Sequence, residues 1–437
     1  MLADKGPEGA GAISQREGPK RMNLLVVSYM LPPVLTPQSI QIGRLLANLD
    51  AEIMTVSGPL TAMGPVLEAA NLRARRARFQ IEIAFTPAFS GLALSLAKRL
   101  VPLYGAIPDE FRGWVGRACA ATLANLEETG FRPDVIATFG EPMSDHLVGL
   151  RLKRRLGVPW VAHCSDPWAD NPFRAGQFLA NRLNRHLEAQ VIEAADRVVF
   201  TSAETRELVM RKYPANWRGK CAVLGHSFDP SLYPEATRPQ RSIVVRHVGS
   251  FYGQRTPLPL LRALKLMDPR QLEDVRFELV GRTPPWLRFH PAWRALPAGL
   301  VVCEGAVDYA RALALMAQAD LLLVIDAPSE LSIFLPSKLV EYLGARVPLM
   351  GITPPGTAAS LLHRLGGIVA DPSDTRQVAA ALERALAVAR ERRAGPHTPW
   401  GNGDVRAAFT VERIAQEFTR LLADAAGVPA HRPGAFA

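Results

Sequence analysis

His163 and Asp166 stand three residues apart, directly after the apolar run Trp160 to Ala162. A histidine at a strand end can hydrogen-bond a sugar hydroxyl or shuttle a proton, and a nearby aspartate can accept from hydroxyls or orient the loop. The pair could also begin a metal site, but no third ligand stands close in sequence. A second group runs from His247 through Gly249, Ser250, Gly253 and Arg255 to Pro257. Glycines permit close backbone approach, Arg255 offers a forked charge and Pro257 suits a helix start, so the segment reads as a phosphate cradle. In the third group, Pro336 and Ser337 open a helix, Lys338 adds a point charge for a diphosphate, and Glu341 lies one turn on along the same face. A carboxylate there can accept two hydrogen bonds from a ribose diol. Lys338 is also the only lysine after Lys265.

Each group has a plainer reading: a satisfied core histidine, a surface arginine on a glycine turn, and an ion pair on a solvated helix. Two further loops are weaker candidates. Residues 29–39 precede a helix opening near Thr36 to Ser39, which could face an anion, although the loop has no glycine and no dinucleotide fingerprint. Residues 351–357 could cap a sugar or phosphate through backbone donors.

These loops need a scaffold that presents strand ends. The sequence supplies it twice, as apolar strands alternating with amphipathic helices, the pattern of parallel βαβ units. In the first half, strands are predicted at Leu24 to Ser28, Glu52 to Val56, Gln80 to Phe85, Asp134 to Thr138, Trp160 to His163, Arg197 to Thr201 and Lys220 to Leu224. In the second, they fall at Ile243 to Val248, Arg276 to Val280, Leu300 to Cys303, Leu321 to Ile325, Pro348 to Gly351 and Gly367 to Val369. The fold class is therefore α/β, with two Rossmann-like, doubly wound parallel-sheet domains facing across a cleft and ligands bound at the strand carboxyl ends.

The predicted boundaries are a disordered tail over 1–21, a first domain over 22–235, a second over 240–403, a final helix (Val405 to Leu422, within about 404–424) and a disordered tail over 425–437. Gly225 to Gln240 serves as the linker.

The 437 residues suit two domains, and a composition of 48% hydrophobic and 21% charged residues excludes a fibre or a wholly disordered chain. The net charge is +10. Residues 72–117 carry eight basic side chains against Glu82, Asp109 and Glu110, a patch suited to an anionic membrane or a lipid-diphosphate acceptor. No helix-turn-helix, zinc finger or aromatic-basic signature points to nucleic acid. Cys119, Cys164, Cys221 and Cys303 are dispersed, which suggests neither a disulfide framework nor a zinc site and fits a reducing cytoplasm. No stretch has the length and apolarity of a spanning helix.

The order of these motifs resembles bacterial family-four-type glycosyltransferases of the GT-B fold. The resemblance runs through Val26 to Pro33, Gly149 to Trp168, Ala195 to Ser202, Val248 to Gly253 and Pro336 to Tyr342, and covers roughly residues 22–424. It implies retaining, metal-independent transfer of a sugar from a nucleotide-diphosphate sugar, which acts as co-substrate in place of any cofactor. By resemblance, Arg255 and Lys338 hold the diphosphate, Glu341 holds the ribose, His163 contacts the donor sugar with Asp166 beside it, and the final helix crosses back onto the first domain. The implied acceptor is a cell-surface polysaccharide, a glycolipid or a polyprenyl-linked saccharide, met at the cytoplasmic face of a membrane. Two departures stand out: Ile333 lies eight residues before Glu341, where the family often has an acidic residue, and Val34 to Ser39 replace a Gly-rich loop. Two other readings stay open: a catalytically idle scaffold or binding subunit, and a nucleotide-sugar epimerase or hydrolase.

Overall fold

The computed structural model describes residues 21–59, 77–85, 103, 105–172, 178–235, 242–395 and 398–427. The first sheet holds β1 (Met22–Val27), β2 (Ala51–Ser57), β3 (Phe79–Glu82), β4 (Val135–Gly140), β5 (Trp160–Cys164), β6 (Arg197–Phe200) and β7 (Cys221–Val223), ordered β3-β2-β1-β4-β5-β6-β7. The second holds β8 (Ile243–Val248), β9 (Val275–Val280), β10 (Val301–Glu304), β11 (Leu321–Ile325), β12 (Leu349–Ile352) and β13 (Ile368–Ala370), ordered β10-β9-β8-β11-β12-β13. Every pairing is parallel. Central strands such as β4 and β11 are buried along their whole length, as helices on both faces require.

In each sheet the strand order reverses beside the first strand, at β1–β4 and at β8–β11. Such switch points open a crevice beyond the strand ends, which is where parallel sheets bind ligands. The intervening helices are α1 (Pro37–Ala47), α2 (Trp114–Thr129), α3 (Ser144–Leu156), α4 (Phe178–Ala194), α5 (Ala203–Met210), α6 (Leu258–Leu264), α7 (Tyr309–Ala317), α8 (Ser337–Ala345), α9 (Thr357–Leu365), α10 (Thr375–Ala394) and α11 (Val411–Ala426). The single turns Pro291–Arg294 and Gly403–Ala407 add little to the layers.

Helix α1 shows how the sequence divides its faces. Ile42, Leu45 and Leu46 join Leu24, Val26 and Phe139 in the core, whereas Gln41 and Arg44, also buried, point to the second domain. Its start is closed by a capping box: the Thr36 hydroxyl accepts from the Ser39 N–H at 3.1 Å, and the Ser39 hydroxyl accepts from the Thr36 N–H at 3.1 Å. The capping box takes up the Ser39 N–H, one of the donors that an anion at residues 29–39 would use.

The last helix departs from expectation. In place of one helix over Val405 to Leu422, the chain makes the turn Gly403–Ala407, breaks at Ala408 to Thr410, and then forms α11. The break has a partner: Phe228 N–H donates to the Phe409 carbonyl at 3.0 Å, and Val411 N–H donates to the Phe228 carbonyl at 2.9 Å. These tertiary bonds replace the intrahelical ones. Beyond them, Ile414, Phe418 and Leu422 bury among Leu24, Ile42, Leu45 and Phe139 of the first domain. The tails expected over 1–21 and 425–437 lie outside the described residues apart from Arg21 and 425–427, as does half of the segment 72–117, with five of its eight basic residues.

Candidate functional site

The second domain builds the cradle. β8 ends at Val248, and Gly249 follows at φ +151, where a Cβ would sit 2.9 Å from Lys338 Nζ and 3.6 Å from His247 Nε2. Gly281, after β9, has φ +123, and a Cβ there would lie 2.7 Å from the Gly249 carbonyl. Two strand-end turns therefore stack in contact, which only glycine permits. The Ser250 hydroxyl accepts from the Arg282 N–H at 3.2 Å and ties the second turn down.

Arg255 is brought to the same place by Asp326, directly after β11. Its Nη2 donates to Asp326 Oδ1 at 3.0 Å and its Nη1 to the Tyr252 hydroxyl at 2.8 Å, with the Tyr252 ring 5.1 Å from the guanidinium carbon. Asp326 is buried and its other oxygen accepts from the Thr353 hydroxyl at 3.0 Å, which fixes the clamp. Lys338 arrives from the first turn of α8, which Ser337 begins.

Three nitrogens in this cluster are buried with no hydrogen-bond partner: Lys338 Nζ, Arg255 Nε and His247 Nε2. Burial, aided by Arg255, pushes the Lys338 amine down to about 7. His247 Nδ1 donates to the Leu323 carbonyl at 3.0 Å and the ring stacks on Phe251 at 4.5 Å. Burial first, then Lys338, holds the imidazole far below its ordinary value, so the ring is neutral and Nε2 presents a lone pair. Arg255 is paired with Asp326, but Lys338 is a buried cation without a hydrogen-bond partner, which is costly, and an anion at Gly249 would relieve that cost.

Glu341, one turn along α8, has the opposite surroundings. Its Oε1 accepts from Arg44 Nη2 at 2.9 Å, and its Oε2 accepts from the Tyr309 hydroxyl at 3.0 Å and the Tyr233 hydroxyl at 3.1 Å. Arg44 also donates to the Ser227 carbonyl and to Tyr309. The arginine is 1% exposed and the ion pair joins the two domains. Although burial alone would lower it, the neighbouring Glu341 carries Arg44 above its ordinary value. The carboxylate expected to grip a ribose diol is thus fully engaged within the protein, and a ribose would have to share or displace these donors.

In the first domain, His163 stands one residue before the end of β5 and lines a small pocket of about 30 Å³ with Gln38, Gln41, Phe139, Ser165, His226 and Ile414. Its Nδ1 is buried without a partner. Burial, then the neighbouring His226 and His146, drives its imidazole down to about 3. The ring is therefore neutral, with one nitrogen able to donate a hydrogen bond and the other to accept one. Asp166 is half-buried in the following loop and is not among the residues lining that pocket. The structure therefore brings Gly249, Ser250, Arg255 and Lys338 together and gives Glu341 and His163 different surroundings. Among the described residues no three His, Cys, Asp or Glu side chains gather as they would around a metal ion.

Sequence reasoning passed over Asp326, Arg44, Tyr309 and Tyr233. Asp326 did leave a signal, an acidic residue closing the apolar strand Leu321–Ile325. The other three left none, since they are separated from Glu341 by 297, 32 and 108 positions. Ile333, which stands where an acid is often found, is buried. Its carbonyl accepts from the Ser202, Thr205 and Thr357 hydroxyls at 2.6, 2.9 and 3.0 Å, and the first two of these cross the domain boundary.

Comparison with known proteins agrees with this fold. Residues 68–225 match the glycosyl transferase 4-like domain. No curated protein matches the sequence. Among solved structures, HepE of Anabaena with UDP and glucose is similar at 18% identity and a TM-score of 0.61, over 92% of this chain and 100% of that one. Sucrose-phosphate synthase of Thermosynechococcus elongatus is similar at 18% identity and a TM-score of 0.63, over 92% and 98%. The lipopolysaccharide outer core galactosyltransferase WaaB is similar at 14% identity and a TM-score of 0.58, over 92% and 99%. The two parallel-sheet domains have the GT-B fold of these structures, and residues 68–225 carry the likeness to a glycosyltransferase module. The matched glycosyl transferase 4-like module lies in the first domain.

Proposed function

We propose that this glycosyltransferase takes its sugar from a nucleotide-diphosphate sugar and transfers it with retention, without a metal, to a saccharide or lipid-linked acceptor of a surface polysaccharide or glycolipid. One observation carries the reading: Lys338 Nζ is buried, unpartnered and 2.9 Å from where a Cβ on Gly249 would stand, with the Arg255 charge near enough to act on it. Glycosyl transfer places negative charge on the leaving diphosphate, and preorganised cations at that position stabilise the transition state. Asp326 holds Arg255 in place, and the N-terminus of α8, begun by Ser337, adds free N–H groups.

The acceptor approaches from the first domain, past His163. That side chain, neutral with a free Nδ1, hydrogen-bonds the donor sugar and does not act as a base. The departing phosphate takes the acceptor's proton on the same face as attack, and Asp166 orients the loop. Glu341 contributes to ribose binding only after a rearrangement of its partners. HepE has been solved with UDP-glucose, which supports a donor of that chemical class. Contact with an anionic membrane at its cytoplasmic face, through the basic segment, belongs to the same reading. Among the described residues no helix is long and apolar enough to cross a membrane.

The test is incubation of the pure protein with a panel of nucleotide sugars and lipid-linked or soluble saccharide acceptors, following nucleoside-diphosphate release and product configuration by NMR. Acceptor-dependent release with the donor's anomeric configuration preserved is expected. Inverted product would overturn retention, and binding without turnover on any acceptor would overturn the activity.

A further inference from the structure

His247 has no part in the reading above, yet its Nε2 faces the same space as Lys338 Nζ. Both atoms lie within 3.6 Å of where a Cβ on Gly249 would stand, and neither has a hydrogen-bond partner. The ring cannot turn to satisfy itself, because Nδ1 is held on the Leu323 carbonyl of β11 and the face is stacked on Phe251. A neutral ring in this pose presents a lone pair to the phosphate position. A lone pair repels a phosphate oxygen, whereas an N–H donates to one.

Resting on the diphosphate reading, we infer that His247 is a third phosphate-binding residue that takes up a proton at Nε2 when the nucleoside diphosphate enters and returns it to solvent when the nucleotide leaves.

The groups facing the ring explain the direction. From α8 comes Lys338, from the loop after β8 comes Arg255, and behind Arg255 lies Asp326 at the end of β11. Tyr342 of α8 places its hydroxyl on the Val248 backbone and contributes no charge. On β8 itself, Arg246 is matched to Glu278 of β9 at 2.6 Å. Without ligand, burial, Lys338 and Arg255 outweigh the backbone groups of Leu323 and Gly249, which favour the charged ring, and keep the imidazole neutral. A diphosphate reverses the sign of the local field, and each nitrogen that is then protonated can donate a charge-assisted bond. The proton comes from solvent and no covalent step is involved.

The experiment uses the full-length protein with UDP, GDP and ADP as probes, in calorimetry at pH 6 in buffers of different ionisation enthalpy. At that pH Lys338 is already mostly charged, so the difference in proton uptake between wild type and His247→Asn reports the imidazole. Asn retains a donor for the Leu323 carbonyl and removes Nε2. A difference approaching one proton and a roughly ten- to hundredfold weaker affinity are expected. Equal uptake and equal affinity would overturn the inference while leaving the nucleotide site standing. Failure of wild type to bind any of the three would overturn both. Should His247→Asn not fold, 15N-histidine NMR of wild type decides the matter: Nε2 is expected to pass from unprotonated to protonated on adding the nucleotide, and an unchanged shift would overturn the inference.

Discussion

Lys338 and Glu341 occupy one face of α8, a single turn apart, and both are charged side chains drawn out of water. Lys338 Nζ has no partner, while both oxygens of Glu341 are taken by Arg44, Tyr309 and Tyr233. A charge buried with its partners belongs to the architecture, and one buried without them is kept for something that arrives later. On this reasoning α8 is two devices in one helix: a first turn open to a ligand, and a second turn that ties the second domain to Arg44 and, through it, to Ser227.

Four measurements can break or sharpen that contrast. The largest effect belongs to Glu341→Ala, which strands Arg44 and should cost about 3–5 kcal/mol of stability in denaturant unfolding; Arg44→Met with Glu341→Leu should recover much of it. If Glu341→Ala weakens nucleotide binding and leaves stability untouched, the carboxylate is a ligand group after all. Lys338→Met should behave the other way, lowering kcat by roughly 100- to 1,000-fold with no loss of Tm. A lower Tm would show the amine to be structural.

The third effect is one of pH. The folded-state value of Lys338, about 7, lies below its unfolded value, so the unfolded chain binds the extra proton between pH 7 and 10.5. The destabilisation is thus full below pH 7 and is relieved as pH rises. The stability difference between wild type and Lys338→Met should shift by about 2–3 kcal/mol between pH 7 and 9, and a flat difference would contradict it. The smallest effect is expected from Asp326→Asn, which loosens the Arg255 clamp. Nucleoside-diphosphate affinity should fall about tenfold in calorimetry. An unchanged affinity would mean that Tyr252 alone suffices to hold the guanidinium.

The sequence carried the fold well, because parallel strands buried on both faces are written as unbroken apolar runs: Ile243–Val248 and Leu321–Ile325 fall where they were expected. The cradle was legible for a similar reason. Gly249, Arg255 and Lys338 each sit at a strand end or helix start, and local chain geometry alone gives them their meaning. What escaped were the long-range pairings. Nothing around Glu341 discloses that Arg44, 297 positions earlier, reaches its oxygen, so the carboxylate read as free. The helical pattern of Val405 to Leu422 likewise concealed the break at Thr410, since the carbonyl and N–H groups there bond to Phe228, far away in sequence.

That break bears on how the halves of the molecule move. Residues 227–229, leaving the first domain, run parallel to residues 409–411, returning to it, with Phe228 bonded to both sides of Thr410. Two crossings joined by this one parallel bridge make a short ribbon in place of a single tether. A ribbon flexes readily about one axis and resists torsion and sliding about the others, so the cleft should open and shut like a book and the cradle return to the same register against His163 each time.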